Sequence, residues 1–568
     1  MSRRDDPTKA RLIFLLVVVI ASLAGVAARL VFVQYVQAQK LSGMAIGQRM
    51  QEIKLDGERG LIYDRSGQHL AINLDACSIY ATPLVIDNPE DTAVKIGAIL
   101  GVKPSILEAK MHQKAGFVYL ARQVDMDKVK QIKELNIKGI DFISERKRYY
   151  PCGTLAAQVI GFSGVDNQGL TGMELGYEDI LHGRSGKLLV EGDPAGAPIP
   201  GGIYSRIEPT DGEDIYLTID KDIQYKAETE ITQLVKDYSA KGGSIIVMNP
   251  ANGEVYAMAS APTFNPNAYG QASDEVIKNR AVTDTYEPGS TAKLVTAVAG
   301  IAENAVGLNE VFYCPAQLEF DGQLFGEYDG QSKGDLDLTG IISQSSNVGS
   351  ILIGERVGKE KLYKYLTELG LGKATGIDYP GEAEGIVPAP DEWSATSIAT
   401  IPYGQGITAT PLQMLEAFAT VANDGVRLRP RLVKYIGREG RTPKNDSGHP
   451  DKKQVVSKDT AMNAQKILIN AVEEGTGKNA RIQGYEVGGK TGTAQKVTEN
   501  GYEKGKYVIS FAGYIANLDP QLAIIVTVDE PQATGPQPLY AATIAAPVFK
   551  TVGEFSIKHL KLPPGGRN

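Results

Sequence analysis

Apolar and polar positions along this chain fall into three patterns. The first is a block without charge from Leu12 to Ala28, interrupted only mildly by Ser22 and Gly25. As a helix rising ~1.5 Å per residue it would span ~26 Å, slightly short of a hydrocarbon core of ~30 Å. Leu30-Val31-Phe32-Val33 lengthens it once Arg29 snorkels toward the headgroups. Arg3, Arg4, Lys9 and Arg11 precede the block, which keeps the N-terminus in the cytoplasm. The rival is a cleavable signal peptide ending at Val26-Ala27-Ala28. The block is longer than an ordinary h-region, however, and apolar residues continue past that site. Both readings put the rest of the chain outside the cytoplasm, and one span does not make a transporter.

The second pattern is helical spacing and the third is strand alternation. From about Gln37 to Thr210 they are mixed and short. Thr92 to Lys110 and Glu174 to Leu181 predict helices, and Lys187 to Glu191 a strand. Gly183-Arg184-Ser185-Gly186 and Pro198-Ile199-Pro200-Gly201-Gly202 predict turns, the second marking a linker or hinge near 195–215. Nothing in this half carries catalytic chemistry on its face. A second part begins near Asp214, with a strand at Ile215 to Ile219 and a helix at Lys221 to Lys236. Ser244 to Met248 and Glu254 to Met258 read as a hairpin around Asn249-Pro250-Ala251-Asn252-Gly253. Gly488 to Val497, Tyr507 to Ile515 and Leu522 to Val528 read as three antiparallel strands, with turns at Asn500-Gly501 and Asn517-Leu518-Asp519-Pro520. Ala541 to His559 predicts a closing helix interrupted by Pro547.

Composition narrows this picture. An apolar fraction of 42% with 22% charged residues belongs to folded domains rather than disorder, and 568 residues are too many for one core. The net charge of -8 argues against non-specific nucleic-acid binding. Cys77, Cys152 and Cys314 lie far apart, so they read as thiols, with one long-range disulfide as the rival. The five histidines are scattered singly, which gives no metal-site spacing.

Candidate chemistry enters at three short motifs in order: Ser290-Thr291-Ala292-Lys293, Ser345-Ser346-Asn347 and Lys490-Thr491-Gly492-Thr493. They supply a nucleophile with a lysine one turn away, a second hydroxyl with an amide, and a basic hydroxyl-rich strand. Glu287-Pro288-Gly289 leads into Ser290 at the start of an apolar helix, where i and i+3 share a face. That spacing lets the Lys293 amine reach the Ser290 hydroxyl, and burial would lower its pKa toward that of a useful base. A second S-x-x-K, Ser144-Glu145-Arg146-Lys147, sits in a charged stretch and reads as a solvated face. Ser345-Ser346-Asn347 alone could equally be a helix cap.

The lysine motif has a competitor. Gly484-Tyr485-Glu486-Val487-Gly488-Gly489-Lys490-Thr491 matches G-x-x-x-x-G-K-[ST], and Asp529-Glu530 after Leu522 to Val528 resembles an ATPase's acidic strand. A phosphate loop needs a buried strand before it and a helix directly after its lysine. Arg481-Ile482-Gln483 is not such a strand, and Thr491 to Val497 is β-branched and predicts a strand.

With the three motifs in place behind an anchor, the chain resembles the class B penicillin-binding proteins, monofunctional peptidoglycan D,D-transpeptidases. The likeness covers nearly its whole length. Arg59-Gly60-Leu61-Ile62-Tyr63-Asp64-Arg65-Ser66-Gly67, Arg148-Tyr149-Tyr150-Pro151 and Gly172-Met173-Glu174-Leu175-Gly176 resemble the family's pedestal boxes. Tyr403-Gly404-Gln405-Gly406, Thr410-Pro411-Leu412-Gln413 and Ala545-Ala546-Pro547-Val548-Phe549 match later segments. Asn279-Arg280 and Ser345-Ser346-Asn347-Val348-Gly349 are similar to the septal, division-specific branch, whereas the elongation branch usually carries a cysteine-aspartate variant at the second motif. Ala292 departs from the bulkier residue common between the serine and lysine.

The resemblance implies an α+β architecture: tail 1–11, transmembrane anchor 12–35, non-catalytic pedestal of dimerisation type 36–213, transpeptidase domain 214–559 and tail 560–568, with an antiparallel sheet flanked by helices. It implies that Ser290 attacks a D-Ala-D-Ala stem peptide, that Lys293 takes its proton, and that Ser345 and Lys490 return one to the leaving D-alanine. Asn347 would orient Lys293 and the donor peptide amide. Thr491, Gly492 and Thr493 would hold the substrate, with the terminal carboxylate on the threonine hydroxyls. The N–H groups of Ser290 and Thr493 would form the oxyanion hole. No metal or cofactor is needed, and β-lactams would acylate Ser290. Implied partners are the membrane, stem peptides and a multi-spanning glycosyltransferase of the SEDS family, bound through anchor and pedestal, with other division proteins; nucleic acid is not among them. An elongation-type enzyme, a β-lactamase or D,D-carboxypeptidase of the same fold, and an inert scaffold or β-lactam sensor stay as alternatives.

Overall fold

In the computed structural model the charge-free block is one helix, α1 (Pro7–Val31), carried on by a π-turn at Phe32–Val36. The structure describes residues 7–41, 44, 50–55, 57–191, 204–437, 451–498, 501–533 and 539–564. Arg3 and Arg4, the Pro198 to Gly202 cluster and Asn500 therefore lie outside the described residues. Among the described residues, Thr8–Val36 is the one helix long and apolar enough to cross a membrane, and none of it is buried against protein. The helix starts earlier than the apolar block because Pro7 supplies a first-turn residue with no N–H to satisfy.

The chain divides into two compact units. Residues 1–58 and 183–212 form one, holding α1 and a three-stranded antiparallel sheet. Its strands are Met50–Leu55, Gly186–Glu191 and Tyr204–Ile207, with the second in the centre.

Residues 59–182 and 213–568 form the other unit. Its six-stranded sheet draws on distant segments: Ile62–Tyr63, His69–Ala81, Val118–Asp125, Ile140–Tyr149, Ile215–Leu217 and Val433–Ile436. The predicted strand at Ile215 pairs parallel with Ile62–Tyr63 and antiparallel with Val433–Ile436. Tyr63, Tyr216 and Tyr435 stack across these three strands, with ring centroids 4.5 and 4.2 Å apart. Chain from before and after the hinge region is thus stitched into one sheet.

Three boxes from separate parts of the sequence meet at one buried carboxylate. Glu174 accepts from Arg59 Nε at 2.7 Å and from Arg148 Nε at 2.7 Å, and Tyr150 donates its hydroxyl at 3.2 Å. Arg59 also reaches Glu178 and the Asn167 and Glu174 carbonyls, while Arg148 reaches Asn73. Burial alone would raise the Glu174 carboxyl, but the Arg148 and Arg59 guanidiniums overcome it and hold the pKa below its usual range.

The part of the chain that carries the three motifs is built on a five-stranded antiparallel sheet: β1 (Gly242–Met248), β2 (Val255–Ala261), β3 (Val487–Thr498), β4 (Gly501–Ile515) and β5 (Leu522–Asp529), in the order β2-β1-β5-β4-β3. Every residue of β1 and β2 is buried, because both faces are covered. One face, with Ile245, Val247, Phe511, Ile524 and Val526, packs on α2 (Lys221–Asp237) and a long C-terminal helix. The other, with Ile246, Met258, Ala512 and Ile525, joins the core containing α3 (Lys293–Ala302), α4 (Asn347–Val357), α5 (Pro411–Ala422) and α6 (Lys458–Glu473). The C-terminal helix, α7, is Ala541–His559.

Three expectations change. Thr92 to Lys110 is two helices, Pro89–Leu100 and Pro104–Met111, because Gly101 ends the first in the left-handed conformation and Pro104 begins the second. Glu174 to Leu181 is likewise two short turns broken at Tyr177. Pro547 does not interrupt α7, because the loss of one backbone bond is outweighed by burial of Ala545, Ala546 and Phe549 around it. Cys77, Cys152 and Cys314 are free thiols, the reading their spacing favoured.

Glu174→Ala would leave the buried Arg148 guanidinium without its carboxylate and Arg59 with Glu178 alone. It should cost about 3–5 kcal/mol, read as a lowered unfolding midpoint of the detergent-solubilised chain. Because the folded pKa of Glu174 is depressed, its contribution is present above the unfolded carboxyl pKa and is lost as pH falls through the folded one.

Candidate active site

The three motifs converge on one side of the sheet. Gly289–Ala292 forms a 3-10 turn that runs into α3, so Ser290 stands one tight turn before Lys293. The turn lies directly on β3. A Cβ on Gly492 would come within 2.5 Å of the Ser510 Oγ and 2.9 Å of Thr291 Cγ2, so only glycine lets the serine turn and the strand approach this closely. From the other side the carbonyl of Gly404 (φ 87°) accepts from the Gly289 N–H at 3.0 Å, and a Cβ there would lie 2.2 Å from the Gly289 oxygen. The Tyr403 to Gly406 segment is therefore the back wall of the serine turn.

Ser345 connects helix Leu338–Ser343 to α4, and it does so with φ of +60°. That left-handed conformation stores about 1–3 kcal/mol of strain. The Ser345 carbonyl accepts from Lys293 Nζ at 2.6 Å. The same amine donates to Asn347 Oδ1 at 2.8 Å and to Ser345 Oγ at 3.3 Å. Lys490 Nζ arrives from β3 and donates to Ser345 Oγ at 2.9 Å. Two lysines, 0% and 1% exposed, thus share one hydroxyl. Ser290 is half-buried beside them, and the Lys293 amine is engaged by Ser345 and Asn347 rather than by the Ser290 hydroxyl.

Neither amine forms an ion pair among the described residues. Burial pushes the Lys490 amine down to about 7. Burial, then the nearby charge of Lys490, holds Lys293 well below the ordinary lysine value, opposed by the carboxylate of Glu327. Thr491 Oγ1 is 2.9 Å from Thr476 Oγ1, whereas Thr493 is exposed toward solvent.

Residues 243–554 match the family described as Penicillin binding protein transpeptidase domain, and residues 54–217 match the Penicillin-binding Protein dimerisation domain. The chain belongs to the class B penicillin-binding proteins. It is 34% identical to the stage V sporulation protein D of Bacillus subtilis over 98% of this chain and 86% of that protein. It is 30% identical to the peptidoglycan D,D-transpeptidase FtsI of Escherichia coli over 91% of this chain and 86% of that one. Penicillin binding protein 3 of Mycobacterium tuberculosis, solved with aztreonam, superposes with a TM-score of 0.70 at 28% identity, covering 90% of this chain and 98% of the other. Penicillin Binding Protein 2X of Streptococcus thermophilus gives 0.72 at 26% identity over 89% and 80%.

As a class B penicillin-binding protein the chain is an enzyme of the serine transpeptidase type, and its single apolar N-terminal helix fits a single-pass membrane protein. The competing phosphate-loop pattern fails in three dimensions, since Lys490 lies inside strand β3 and no helix follows it. Ser144 and Lys147 lie on the strand Ile140–Tyr149, where i and i+3 point to opposite faces. Sequence motifs did not disclose Glu327 or Thr476. Both reach the site from long excursions, and neither sits in a recognisable spacing. Beside the serine turn, Glu287, Tyr286, Ala494, Gln495 and Lys496 line part of a cavity of about 350 Å3 that the catalytic side chains themselves do not line. Asp220, Asp222 and His559 bring ligand atoms within 4.8 Å of one another on the opposite face of the sheet, but Asp220 already caps α2.

Gly404→Ala should drive the Gly289 carbonyl away and lower both the unfolding midpoint and the rate of any reaction at Ser290. Gly406→Ala meets nothing closer than 3.7 Å and should cost only the backbone strain of its φ of +80°, about 1–2 kcal/mol. Parallel melts and acylation rates of the two variants separate these effects.

Proposed function

We propose that this transpeptidase cross-links peptidoglycan stem peptides ending in D-Ala-D-Ala, during septal wall synthesis. The observation that carries the reading is the pair of buried lysine amines meeting on the Ser345 hydroxyl. Ser290 Oγ attacks the carbonyl carbon of the penultimate D-alanine while its proton passes to the Lys293 amine, whose pKa burial and Lys490 lower. The N–H groups of Ser290 and Thr493 receive the oxyanion. The C–N bond then breaks, and the departing D-alanine takes a proton from Ser345 Oγ, resupplied by the lysines. Asn347 orients Lys293, and the exposed Thr493 with Thr491 and Gly492 holds the donor strand. An amine from a second stem peptide attacks the ester, the C–Oγ bond breaks, and Ser290 recovers its proton.

A β-lactam takes the donor's place and leaves a stable ester on Ser290. The catalytic domain works outside the cytoplasmic membrane, with the N-terminus inside. The anchor ties it to the membrane, and the anchor and residues 36–213 offer surfaces to a SEDS-type glycosyltransferase and other division proteins. The septal assignment is supported by Ser345-Ser346-Asn347 in place of the cysteine-aspartate variant of elongation enzymes.

Intact-mass measurement after brief exposure to benzylpenicillin tests the chemistry. One stable adduct is expected on the native chain and none on Ser290→Ala or Lys293→Ala. An adduct lost within seconds would indicate a β-lactamase, and no adduct on any variant an inert scaffold. Depletion in the source bacterium should block division and give filaments; loss of rod shape instead would assign the enzyme to elongation.

A further inference from the structure

Between α3 and helix Leu338–Ser343 the chain makes an excursion of four short strands, Phe312–Cys314, Gln317–Phe320, Gln323–Gly326 and Gly334–Leu336. The middle two form a hairpin whose turn residues Asp321 and Gly322 both have positive φ, the two-residue turn suited to strand twist. Most of the hairpin is exposed. The residue that follows it, Glu327, is 6% exposed.

Its carboxylate sits on the N-terminus of α4. It accepts from the Ser346 hydroxyl, from the Asn347 N–H at 2.8 Å and from the Val348 N–H at 3.3 Å. Ser346 Oγ accepts in turn from the Gly349 N–H at 2.9 Å, so the donors at the start of the helix are all engaged. A negative charge at this end of α4 is also favoured by the helix dipole. The preceding residue acts on the same side chain: the Gly326 carbonyl accepts from Asn347 Nδ2 at 3.1 Å. With its NH2 group committed there, the Asn347 amide can present only its oxygen to Lys293 Nζ.

We propose that Glu327 is a positioning residue for the reaction: from the base of this surface hairpin it clamps the backbone of Asn347 so that the Asn347 amide oxygen stays on the Lys293 amine. The inference rests on Lys293 being the proton acceptor from Ser290. The charged groups facing Lys293 are Lys490 from β3 and, from the excursion, Glu327 and Lys333, the last held by Asp329. Both parts of the clamp, the carboxylate charge and the fixed amide oxygen, favour the protonated amine. Removing Glu327 therefore frees the neutral amine at lower pH while loosening its aim.

The test is the rate of acylation by benzylpenicillin as a function of pH in the full chain. In Glu327→Gln the plateau should fall about tenfold or more, the order expected for losing a charge-assisted buried hydrogen bond. Its rising limb should move to lower pH. Glu327→Asp, which keeps the charge, should return the limb toward its native position. If Glu327→Gln does not fold, Ser346→Ala removes one donor to the carboxylate and leaves its charge. It should slow acylation without moving the limb, and a native rate in that variant would overturn the clamp. A Glu327→Gln enzyme with native rate and limb, or one slowed with its limb unmoved, as a purely structural cap would give, also overturns it. Lys293→Ala distinguishes the two readings. Acylation at the native rate in that variant defeats the assigned role of Lys293, whereas a dead Lys293→Ala beside an unaltered Glu327→Gln defeats only the inference about Glu327.

Discussion

Two lysine side chains buried on one serine hydroxyl cannot both hold a full charge, and the site depends on that constraint. Each amine has given up water, and no carboxylate stands within ion-pair distance among the described residues to replace it. A buried ammonium without a partner is costly enough that the group gives up its proton instead. Neutral polar acceptors then take over: the Ser345 carbonyl and hydroxyl, the Asn347 amide and the Thr491 carbonyl and hydroxyl. The left-handed turn at Ser345 follows from the same need, because it swings that carbonyl toward Lys293.

Holding these groups in place is the task of the layers around them. Lys293 comes from a helix, Ser345 and Asn347 from a helix junction, and Lys490 from a strand. The two helical elements pack into one apolar core on a face of the sheet to which the strand itself belongs. Covering the other face with α2 and α7 makes the sheet a rigid plate rather than an exposed surface. Close backbone approach at Gly492 and Gly404 then sets the serine turn against that plate from two sides. Well away in sequence, Glu174 gathers Arg59 and Arg148 in a second buried charge cluster. There the solution is opposite: the charges are kept and each guanidinium meets a carboxylate.

Legibility followed the range of the interactions. The anchor, the amphipathic helix at Lys221, the hairpin at Asn249 and the three final strands are written in local periodicity, and the sequence announces them. So do the three motifs, whose order and company outweigh their weakness one by one. Glu327 could not be read, because its partners Ser346 and Asn347 lie about twenty residues away across an irregular excursion. Thr476 met Thr491 for the same kind of reason. The long helix expected from Thr92 failed locally: Gly101 and Pro104 are stop and start signals that the apolar spacing around them masked. The sheet that joins Ile62, Ile215 and Val433 had no local signature, since its short strands are defined by each other.

The phosphate-loop match shows why context decides. In such a loop a lysine stays charged because phosphate faces it, and the backbone N–H groups before a helix share the load. Here the same Gly-Gly-Lys-Thr letters are pleated into an edge strand, so the lysine is carried inward to a hydroxyl and a second amine. Burial drives its pKa to about 7, and Lys293, buried with Lys490 as a neighbour, is held well below the ordinary lysine value. Two amines this close titrate as a pair. The proposed reaction draws on such a pair twice, as a base next to Ser290 in acylation and as a proton source next to Ser345 when D-alanine departs. One set of letters thus binds charge in a loop and divides protons in a strand, and the difference is set by which way the backbone turns after the lysine.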